Sequence, residues 1–271
     1  KGVIRVGASG FTGALASYSN YGTANLPLTI SGQGGSGDSQ TDVTAWIVST
    51  YNTGTSTLGT ESYMGMVGTS MAAPHVSATA ALLKSLDPTL TVPQITSLLT
   101  STATVLPSPC TTTKCGAGAV NAKAAVAAEV KSMLSAVKPP VLTGTPAAGS
   151  TISSTQAGIP SGATVAYQWL RNGASISGAT AASFVLTNTD AGQKISLRST
   201  VTFAAASTSV ESTPVVPSAL GAFTTSVAPA TKGTYKYGKT LTAAPGTFTP
   251  TPTTVTYRWL RNGSSISGAT K

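Results

Sequence analysis

A fourteen-residue segment occurs twice in this sequence, and it separates two kinds of region in the 271-residue chain. Residues 167–180 and 257–270 agree at twelve of fourteen positions, at an offset of 90 residues. Each copy places alternating apolar and polar residues before Asn-Gly, the strongest short signal of a β-hairpin. The repeat length suits a small β-sandwich. We therefore predict all-β, immunoglobulin-like repeats at 138–218 and 219–271, the second of them truncated, after a different domain at 1–137.

Residues 1–137 have the pattern of an α/β domain. Alternating apolar residues predict a strand over Lys1–Ala8, and Val43–Thr50 is a second strand candidate before a polar loop at Tyr51–Glu61. Amphipathic helices are predicted over Val92–Thr102 and Val120–Ala136, and Lys138-Pro139-Pro140 reads as a linker. No apolar run reaches 18 residues, so we predict no membrane span. Lys1 does not open a signal peptide, and both termini are expected to be cut ends.

The charge is low and unevenly distributed. Only 8% of residues are charged, while small polar residues are abundant, which is typical of exported proteins. The net charge is +9, and residues 138–271 hold ten Lys/Arg against two Asp/Glu, compared with six against five in residues 1–137. The basic half would either contact an acidic surface, such as cell-wall polymer or lipopolysaccharide, or simply keep the repeats soluble. No basic-aromatic cluster typical of nucleic-acid binding stands out, so we predict no nucleic-acid partner.

The two cysteines, Cys110 and Cys115, are the only ones in the chain. They are too few for a zinc site with four ligands, and a local disulfide fits better. So small a loop is expected to contribute only about 2 kcal/mol, which would fix a surface turn. Such a bond indicates an oxidising compartment, and we predict a secreted or cell-surface protein.

The segment Gly68–Val76 places Ser70 just before a long stretch of small and apolar residues that ends at Leu83. Because the residues are small or apolar on every side, the pattern predicts a helix buried all round, with Pro74 in its first turn. A serine at the start of such a helix exposes its hydroxyl beside the helix N-terminus, where backbone amides favour negative charge. The amide of Ser70 could then help to hold an oxyanion.

These nine residues resemble the nucleophile motif of the subtilase family of serine proteases, peptidase S8. Flanking segments extend the resemblance over residues 1–128, with Gly68, Thr69, Pro74 and His75 as structural positions of the motif. The resemblance implies a partial subtilisin-like parallel sheet, with Ser70 as nucleophile and backbone oxyanion donor. One segment departs from the family, because Ser31-Gly32-Gln33-Gly34 stands where relatives have Ala-Pro-Gly-Gly. That change leaves the shape of the loop open.

The catalytic partners of Ser70 are not evident in the chain. The family order is Asp, then His, then Ser, yet the sole histidine, His75, follows Ser70 by five residues. Five residues turn a helix by about 140° and rise about 7.5 Å, so we expect the His75 imidazole to point away and to be structural. The carboxylates before Ser70 are Asp38, Asp42 and Glu61, none in a family setting. The resemblance implies that the Asp, the His and an oxyanion Asn precede Lys1.

Two other sets of residues have open interpretations. Asp38 and Asp42 either ligate a structural calcium ion, which many relatives bind, or are solvated loop residues, so no calcium site is assigned. Trp169 and Trp259 either line a sugar site or are the buried tryptophans of their repeats.

We therefore expect the parent protein to be an exported endopeptidase that cuts protein or peptide substrates through a Ser70 acyl-enzyme and requires no cofactor. The 271 residues alone are expected to be inactive. The alternative is a non-catalytic surface adhesin, in which the protease core is degenerate and the basic repeats bind cell-envelope polymers.

Overall fold

The computed structural model describes residues 2–36, 43–221, 224–249, 251–252 and 254–270. The chain forms two compact units. The first contains residues 1–140, 156–167 and 198–211, and the second contains residues 141–155, 168–197 and 212–271. The division into 1–137, 138–218 and 219–271 stays a prediction.

The first unit combines short strands with helices, as predicted for an α/β fold. Strand β1 (Val6–Ser9) pairs in parallel with β2 (Ile30–Gln33). Strands β3 (Ile47–Asn52) and β4 (Glu61–Met66) form an antiparallel hairpin. The helices are α1 (Thr69–Leu86), α2 (Val92–Ser101), α3 (Thr112–Cys115) and α4 (Ala122–Ser135).

The polar ends of the β3–β4 hairpin differ from the prediction. Residues Val43–Ala45 form a 3₁₀ turn, and the strand begins only at Ile47. The expected loop at Tyr51–Glu61 is partly strand, because Asn52 pairs with Glu61. Backbone pairing satisfies polar residues as well as apolar ones, so the polar sequence did not reveal where these strands end.

The core of the first unit lies where α1, α2 and α4 meet β2. Buried apolar residues from these elements and from the α1–α2 connection form one cluster: Ile30, Val76, Leu83, Leu90, Ile95, Leu99 and Ala125. A side chain at Gly32 of β2 would place its Cβ 2.4 Å from the carbonyl oxygen of Ala72. Glycine at this position therefore allows α1 to lie directly on β2.

The prediction that α1 is buried all round is wrong. Its buried residues are Ala72, Val76, Thr79 and Leu83, which follow a spacing of three to four and form a single stripe. Pro74 and Ala78 are exposed, and Leu82 is 50% exposed. Most residues on the exposed side are small, so their contact with water costs little, and composition did not distinguish the two faces.

The C-terminal end of α4 packs within the same unit. Val130, Leu134 and Val137 form a buried cluster with Val201. The backbone of Gly158 approaches Ala136 so closely that a Cβ there would lie 2.2 Å from the Ala136 carbonyl oxygen. The C-terminal end of α4 therefore packs against residues that follow the predicted Lys138–Pro140 linker.

The remaining chain consists mainly of strands. A three-stranded sheet has the order β5-β6-β9, a four-stranded sheet has the order β11-β10-β7-β8, and three two-stranded pairs are β12–β15, β13–β14 and β16–β17. Their bounds are β5 Val141–Thr143, β6 Thr151–Thr155, β7 Thr164–Arg171, β8 Ala174–Ser175, β9 Ser183–Val185, β10 Ile195–Phe203, β11 Ala206–Glu211, β12 Thr224–Val227, β13 Ala230–Lys232, β14 Thr242–Ala244, β15 Thr247–Thr249, β16 Leu260–Arg261 and β17 Ser264–Ser265. The immunoglobulin-like sandwich stays a prediction.

The two copies of the repeated segment form the same hairpin, which confirms the Asn-Gly turns. Asn172 has φ 51° and Asn262 has φ 48°, and the following glycines are also left-handed. The amide of Ile176 donates to the Trp169 carbonyl, and the amide of Ile266 donates to that of Trp259, both at 2.9 Å. Positive φ at both turn residues is the geometry that Asn-Gly favours.

Trp169 is a core residue, as one of the two interpretations predicted. It is fully buried and stacks on Phe184 with ring centroids 5.4 Å apart. Its indole N–H donates to the Ala181 carbonyl at 2.9 Å, so the polar end of the ring is satisfied. Trp259, at the same position of the second copy, is only half-buried.

A buried ion pair lies at the end of the first repeated hairpin. The guanidinium of Arg171 donates from Nε (2.8 Å) and Nη2 (2.6 Å) to Oδ1 of Asp190, a residue with no exposed surface. The Thr187 amide and hydroxyl donate to Oδ2 at 2.8 and 2.7 Å. Burial disfavours ionisation, but the bonds from Thr187 and Arg171 outweigh it and hold the pKa of Asp190 below its usual value.

Among the described residues, no helix is both long and apolar enough to cross a membrane.

Candidate active site

Ser70 is the second residue of α1, and its side chain is exposed. The preceding Gly68 has φ 153° and ψ 165°, a conformation that is practically restricted to glycine. The carbonyl of Gly68 accepts hydrogen bonds from the amides of Met71 (3.0 Å) and Ala72 (3.2 Å), which start the helix. Glycine at position 68 therefore gives the chain the turn that places Ser70 at the N-terminus of α1.

The start of α1 is held by main-chain atoms at the end of β2. The amide of Gly68 donates to the Gly34 carbonyl at 2.9 Å, and the amide of Gly34 donates to the Ser9 carbonyl at 2.9 Å. The Tyr18 hydroxyl lies 2.6 Å from the carbonyl oxygens of both Gly34 and Gly35. These bonds fix the position of Ser70 relative to the parallel strands.

Gly34 belongs to the segment in which the sequence departs from the subtilase pattern. A Cβ at Gly34 would lie 2.6 Å from the Cβ of Ala8 and 2.7 Å from the Gly68 carbonyl oxygen. Ser31, Gly32 and Gln33 continue β2 up to this point. The segment without proline thus still forms a regular strand that meets the start of α1.

The helix N-terminus gives Ser70 an electropositive surrounding. The first amides of an α-helix have no intrahelical acceptor, and the helix dipole adds partial positive charge at this end. Ser70 lies in that first turn of an 18-residue helix. The amide of Ser70 is therefore placed to stabilise negative charge on an oxygen bound near its own hydroxyl.

The sequence had predicted Pro74 in the first turn of the helix, and this prediction is wrong. The helix starts at Thr69, so Pro74 is its sixth residue and lies inside it. In an α-helix the carbonyl of Ser70 would accept a hydrogen bond from the amide of residue 74. Because proline has no amide hydrogen, this bond is missing. The prediction failed because the motif alone did not show that the helix starts before Ser70.

Ser70 lies at the edge of an apolar cleft of about 490 Å³. One wall is the α1 surface formed by Ser70, Met71, Pro74, His75 and Ala78. The opposite wall is the β3–β4 hairpin, which contributes Ile47, Val48, Ser49, Thr50, Tyr51, Met64 and Met66. A cleft of this size and polarity can take one or two apolar side chains of a ligand next to the serine hydroxyl.

His75 bonds to its own helix. Its Nδ1 lies 2.8 Å from the carbonyl oxygen of Met71, four residues earlier. A carbonyl oxygen only accepts, so Nδ1 carries the hydrogen in this bond. The imidazole borders the same cleft as Ser70, one and a half turns along the helix. Its structural role stays a prediction.

Of the three carboxylates before Ser70, only Glu61 belongs to the described residues. Asp38 and Asp42 lie outside the described residues. Glu61 is exposed and begins β4, whereas Met66 at the end of β4 lines the cleft. Five residues of strand separate them, which is about 17 Å. Within the part of the chain that the structure describes, no three His, Cys, Asp or Glu side chains are placed to hold a metal ion.

The predicted disulfide between Cys110 and Cys115 is confirmed, and its loop lies at the surface except at its Cys115 end, since Thr111, Thr112 and Lys114 are exposed. Cys115 is 1% exposed, and its carbonyl accepts a hydrogen bond from the buried Ser31 hydroxyl at 2.9 Å. The carbonyl of Lys114 accepts the Gly22 amide at 3.1 Å. The Cys115 end of the loop is buried, and its carbonyls serve as acceptors for the chain after β1 and along β2.

Sequence reasoning missed the residues that hold Ser70 in place. Ser9, Tyr18 and Gly34 contribute through one hydroxyl and main-chain atoms. The closely spaced glycines at 32, 34 and 35 were a signal, since glycines in or beside a strand often mark a close backbone approach.

Comparison with known proteins finds similarities over the first part of the chain. Residues 1–118 match the model of the subtilase family, peptidase S8. A stretch of 129 residues is 46% identical to a protein named "Extracellular protease" from Xanthomonas campestris pv. campestris, and it covers 47% of this chain and 20% of that protein. The chain thus spans about a fifth of the length of this curated relative.

Two solved protease structures are also similar. One is described as proteases from Pseudoalteromonas arctica, with 43% identity, a TM-score of 0.43, and coverage of 48% of this chain and 36% of that chain. The other is described as a lanthipeptide protease, with 26% identity, a TM-score of 0.39, and coverage of 46% and 41%. Residues 1–118 are therefore similar to the subtilase family, peptidase S8, and to an extracellular protease over about half of the chain.

Proposed function

We propose that residues 1–137 are the nucleophile-bearing part of the catalytic domain of a secreted serine endopeptidase. Ser70 attacks the carbonyl carbon of a peptide bond and forms an acyl-enzyme, while its own amide stabilises the oxyanion. The observation that carries the proposal is the exposed Ser70 in the first turn of α1, a helix that packs on the parallel strands β1 and β2 and lines a cleft. The "Extracellular protease" name of the relative supports export and protein substrates.

The general base has to come from outside these residues. A serine hydroxyl needs a base within hydrogen-bond reach before it can act as a nucleophile at neutral pH. The one histidine of the sequence is His75, which lies five residues after Ser70 on the same helix, about 140° around and about 7.5 Å along its axis. Catalysis therefore requires a second segment that carries a histidine with its orienting carboxylate, and a second oxyanion donor besides the Ser70 amide.

The first test uses the 271-residue chain with a fluorophosphonate probe. Labelling of Ser70 is expected to be as slow as labelling of Ser85, an exposed hydroxyl on the same helix. The Ser70→Ala and Ser85→Ala variants provide the two backgrounds. Rapid labelling that only Ser70→Ala abolishes would show that an activating base is present within the chain.

The second test adds a protease segment that would carry the missing base and oxyanion donor. Residues 1–271 are fused behind the preceding part of the protease domain of the Xanthomonas relative, and hydrolysis of casein is measured. We expect activity that Ser70→Ala lowers at least about a thousandfold. His75→Gln should keep most of the activity, because His75 takes no part in proton transfer in this scheme. A folded but inactive fusion would favour the adhesin alternative.

A further inference from the structure

A groove lies between helix α4 and the β10–β11 hairpin, within the first unit, and the proposed protease function does not use it. It measures about 540 Å³, within the usual range for ligand sites. One wall is a single face of α4, formed by Lys123, Val126, Ala127, Val130, Lys131, Leu134 and Ser135. The other wall is the turn before β11 and the start of that strand, formed by Ala204, Ala205, Ala206, Ser207 and Thr208. These residues define the α4–β11 groove.

Strand β11 is at the edge of its sheet, and part of its main chain faces away from β10. The sheet has the order β11-β10-β7-β8. Phe203 and Ala206 pair across a two-residue turn with left-handed φ at both turn residues, the geometry in which this pair is hydrogen-bonded. Hydrogen-bonded and non-hydrogen-bonded pairs alternate along an antiparallel ladder, so the next pair, Thr202 with Ser207, is not hydrogen-bonded. The amide and the carbonyl of Ser207 therefore point away from β10, at the outer edge of the described sheet.

Ser209 repeats this arrangement two residues further along β11. It pairs with Thr200, and the two side-chain oxygens lie 2.8 Å apart, which fits a non-hydrogen-bonded pair because such pairs bring side chains closest. The amide and carbonyl of Ser209 therefore also point away from β10. Ser207 and Ser209 are both exposed and lie about 7 Å apart along the strand. The edge of β11 thus offers donors and acceptors at the spacing with which a further strand would pair.

The α4 wall determines which side chains such a strand could carry. Val130, in the floor of the groove, is 3% exposed, so the floor is apolar. Lys123 and Lys131 are exposed and lie eight residues apart, about 12 Å along the helix axis. The lining residues, all within the described structure, include no Asp or Glu. Glu211, at the other end of β11, is paired with Arg198. The groove is therefore electropositive and favours an anionic occupant.

We propose that the α4–β11 groove binds an extended acidic peptide, which adds to β11 as a further strand. The main chain of the peptide pairs with the outward amides and carbonyls of Ser207 and Ser209, which gives affinity without regard to sequence. Every second side chain of the added strand faces α4. An apolar side chain there contacts Val130, and carboxylates on either side of it form charge-assisted bonds with Lys123 and Lys131.

The proposal is tested by fluorescence anisotropy with the 271-residue chain and a labelled peptide, Thr-Glu-Thr-Val-Thr-Glu-Thr with blocked ends. Its valine and two glutamates face one side of an extended strand, and the glutamates are about 14 Å apart, close to the spacing of the two lysines. We expect saturable binding at about 150 mM salt that weakens as salt rises. The same peptide with glutamine in place of glutamate should bind about tenfold more weakly, because both charge-assisted bonds are lost.

Two N-methylated peptides test the pairing with β11. Successive amides of an extended strand point to opposite sides, so methylating the valine amide blocks one edge of the peptide and methylating the next threonine amide blocks the other. One of the two methyl groups should weaken binding at least about tenfold, because it removes a main-chain donor to β11 and adds bulk there. The other peptide should bind within about twofold of the parent peptide.

Two matched pairs of protein variants locate the site. Lys131→Gln removes a cation from the groove, whereas Lys138→Gln removes one just after α4, outside it. We expect about a fivefold loss of affinity from the first and less than about twofold from the second. Ser207→Pro removes the outward amide at an edge position that tolerates proline, whereas Ser207→Ala keeps that amide. The proline variant should weaken binding about tenfold and the alanine variant less than about twofold.

Three results would overturn the proposal. One is the absence of binding at about 1 mM peptide, the weak end of specific affinities. The second is an equal effect of both N-methyl groups, which would mean that the main chain of the peptide does not pair with β11. The third is loss of binding in the fusion to the preceding part of the Xanthomonas protease domain, made with Ser70→Ala so that the peptide is not cut, since the catalytic domain itself would then cover the groove. None of these results depends on hydrolysis by Ser70, so protease function and peptide binding fail separately.

Discussion

Asp190 shows how a single buried carboxylate can control the acid stability of the second unit. Its pKa is lowered in the folded state because, although burial opposes ionisation, the Thr187 and Arg171 bonds prevail. A carboxyl group whose pKa is lower in the folded state stabilises the fold at pH values above its pKa in the unfolded state, about 3.8. That contribution is lost as the pH falls through the folded pKa. Acidification should therefore loosen this unit once Asp190 takes up a proton.

Replacing the carboxylate tests this stabilisation. Asp190→Asn removes the charge that accepts the bonds of Arg171 and Thr187, and we expect the free energy of unfolding to fall by about 2 kcal/mol at pH 7, since water reaches the partly exposed Arg171. The stability of the variant should also depend less on pH below 3.8, the ordinary value for Asp. Both quantities are measured by urea denaturation followed through tryptophan fluorescence.

The control for this variant is the exposed pair of Arg198 and Glu211, 3.3 Å apart. Both side chains are open to water, so Glu211→Gln should change the stability by less than about 1 kcal/mol. Equal losses from Asp190→Asn and Glu211→Gln would contradict the special role of the buried pair.

Two kinds of hairpin in this chain have the same turn geometry but different residues in the turn. The repeated hairpins use Asn-Gly at positive φ, whereas the β10–β11 hairpin uses Ala204 and Ala205 at φ 47° and 64°. Left-handed backbone costs an alanine roughly 1–2 kcal/mol, because Cβ crowds the following carbonyl oxygen. The β10–β11 hairpin therefore carries strain that the Asn-Gly hairpins avoid.

This strain can be relieved by a double substitution. Ala204→Asn with Ala205→Gly should raise the free energy of unfolding by about 1–2 kcal/mol. Asn172→Ala, which introduces alanine at the matching turn position of the first repeat, should lower it. Both changes are measured by thermal denaturation. A double variant that is no more stable than the original chain would show that the turn is not strained.

The elements that sequence predicted best were those with a strong local signal. Helices at Val92–Ser101 and Ala122–Ser135 and the Asn-Gly hairpins follow from periodicity and turn chemistry. The exposed face of α1, the start of β4 and helix α3 could not be predicted, since they depend on which surfaces are covered by distant parts of the chain. The position of Ser70 in the first turn of a helix followed from its motif, whereas the contacts of Gly34 and Tyr18 beside that helix start did not.

At the scale of the whole molecule, the disulfide loop contributes to the framework behind the candidate active site. The carbonyls of Thr113, Lys114 and Cys115 accept hydrogen bonds from Leu28, Gly22 and Ser31. The amide of Ser31 donates to the Gly118 carbonyl at 2.8 Å, so the chain after the disulfide runs beside β2. The loop therefore supports the strand whose far end holds Gly68.

Removing the disulfide should loosen this region selectively. For a Cys110→Ser/Cys115→Ser variant we expect a loss of about 2 kcal/mol in stability. Hydrogen exchange should accelerate at Gly22, Leu28 and Ser31, whose partners lie in or next to the loop. Residues 168–197, in the other unit, should exchange at an unchanged rate. Uniform acceleration across the chain would contradict a local role for the disulfide.

The hydrogen bond from Gly68 to the Gly34 carbonyl has a consequence for how this region can vary. The bond joins two peptide groups and involves no side chain, so substitutions in the cleft walls, such as at Met64 or Met66, leave it intact. Variation there can alter which ligands fit while the hydroxyl of Ser70 stays where it is. A methyl group added at either glycine would have the opposite effect, displacing the serine while leaving the cleft lining unchanged.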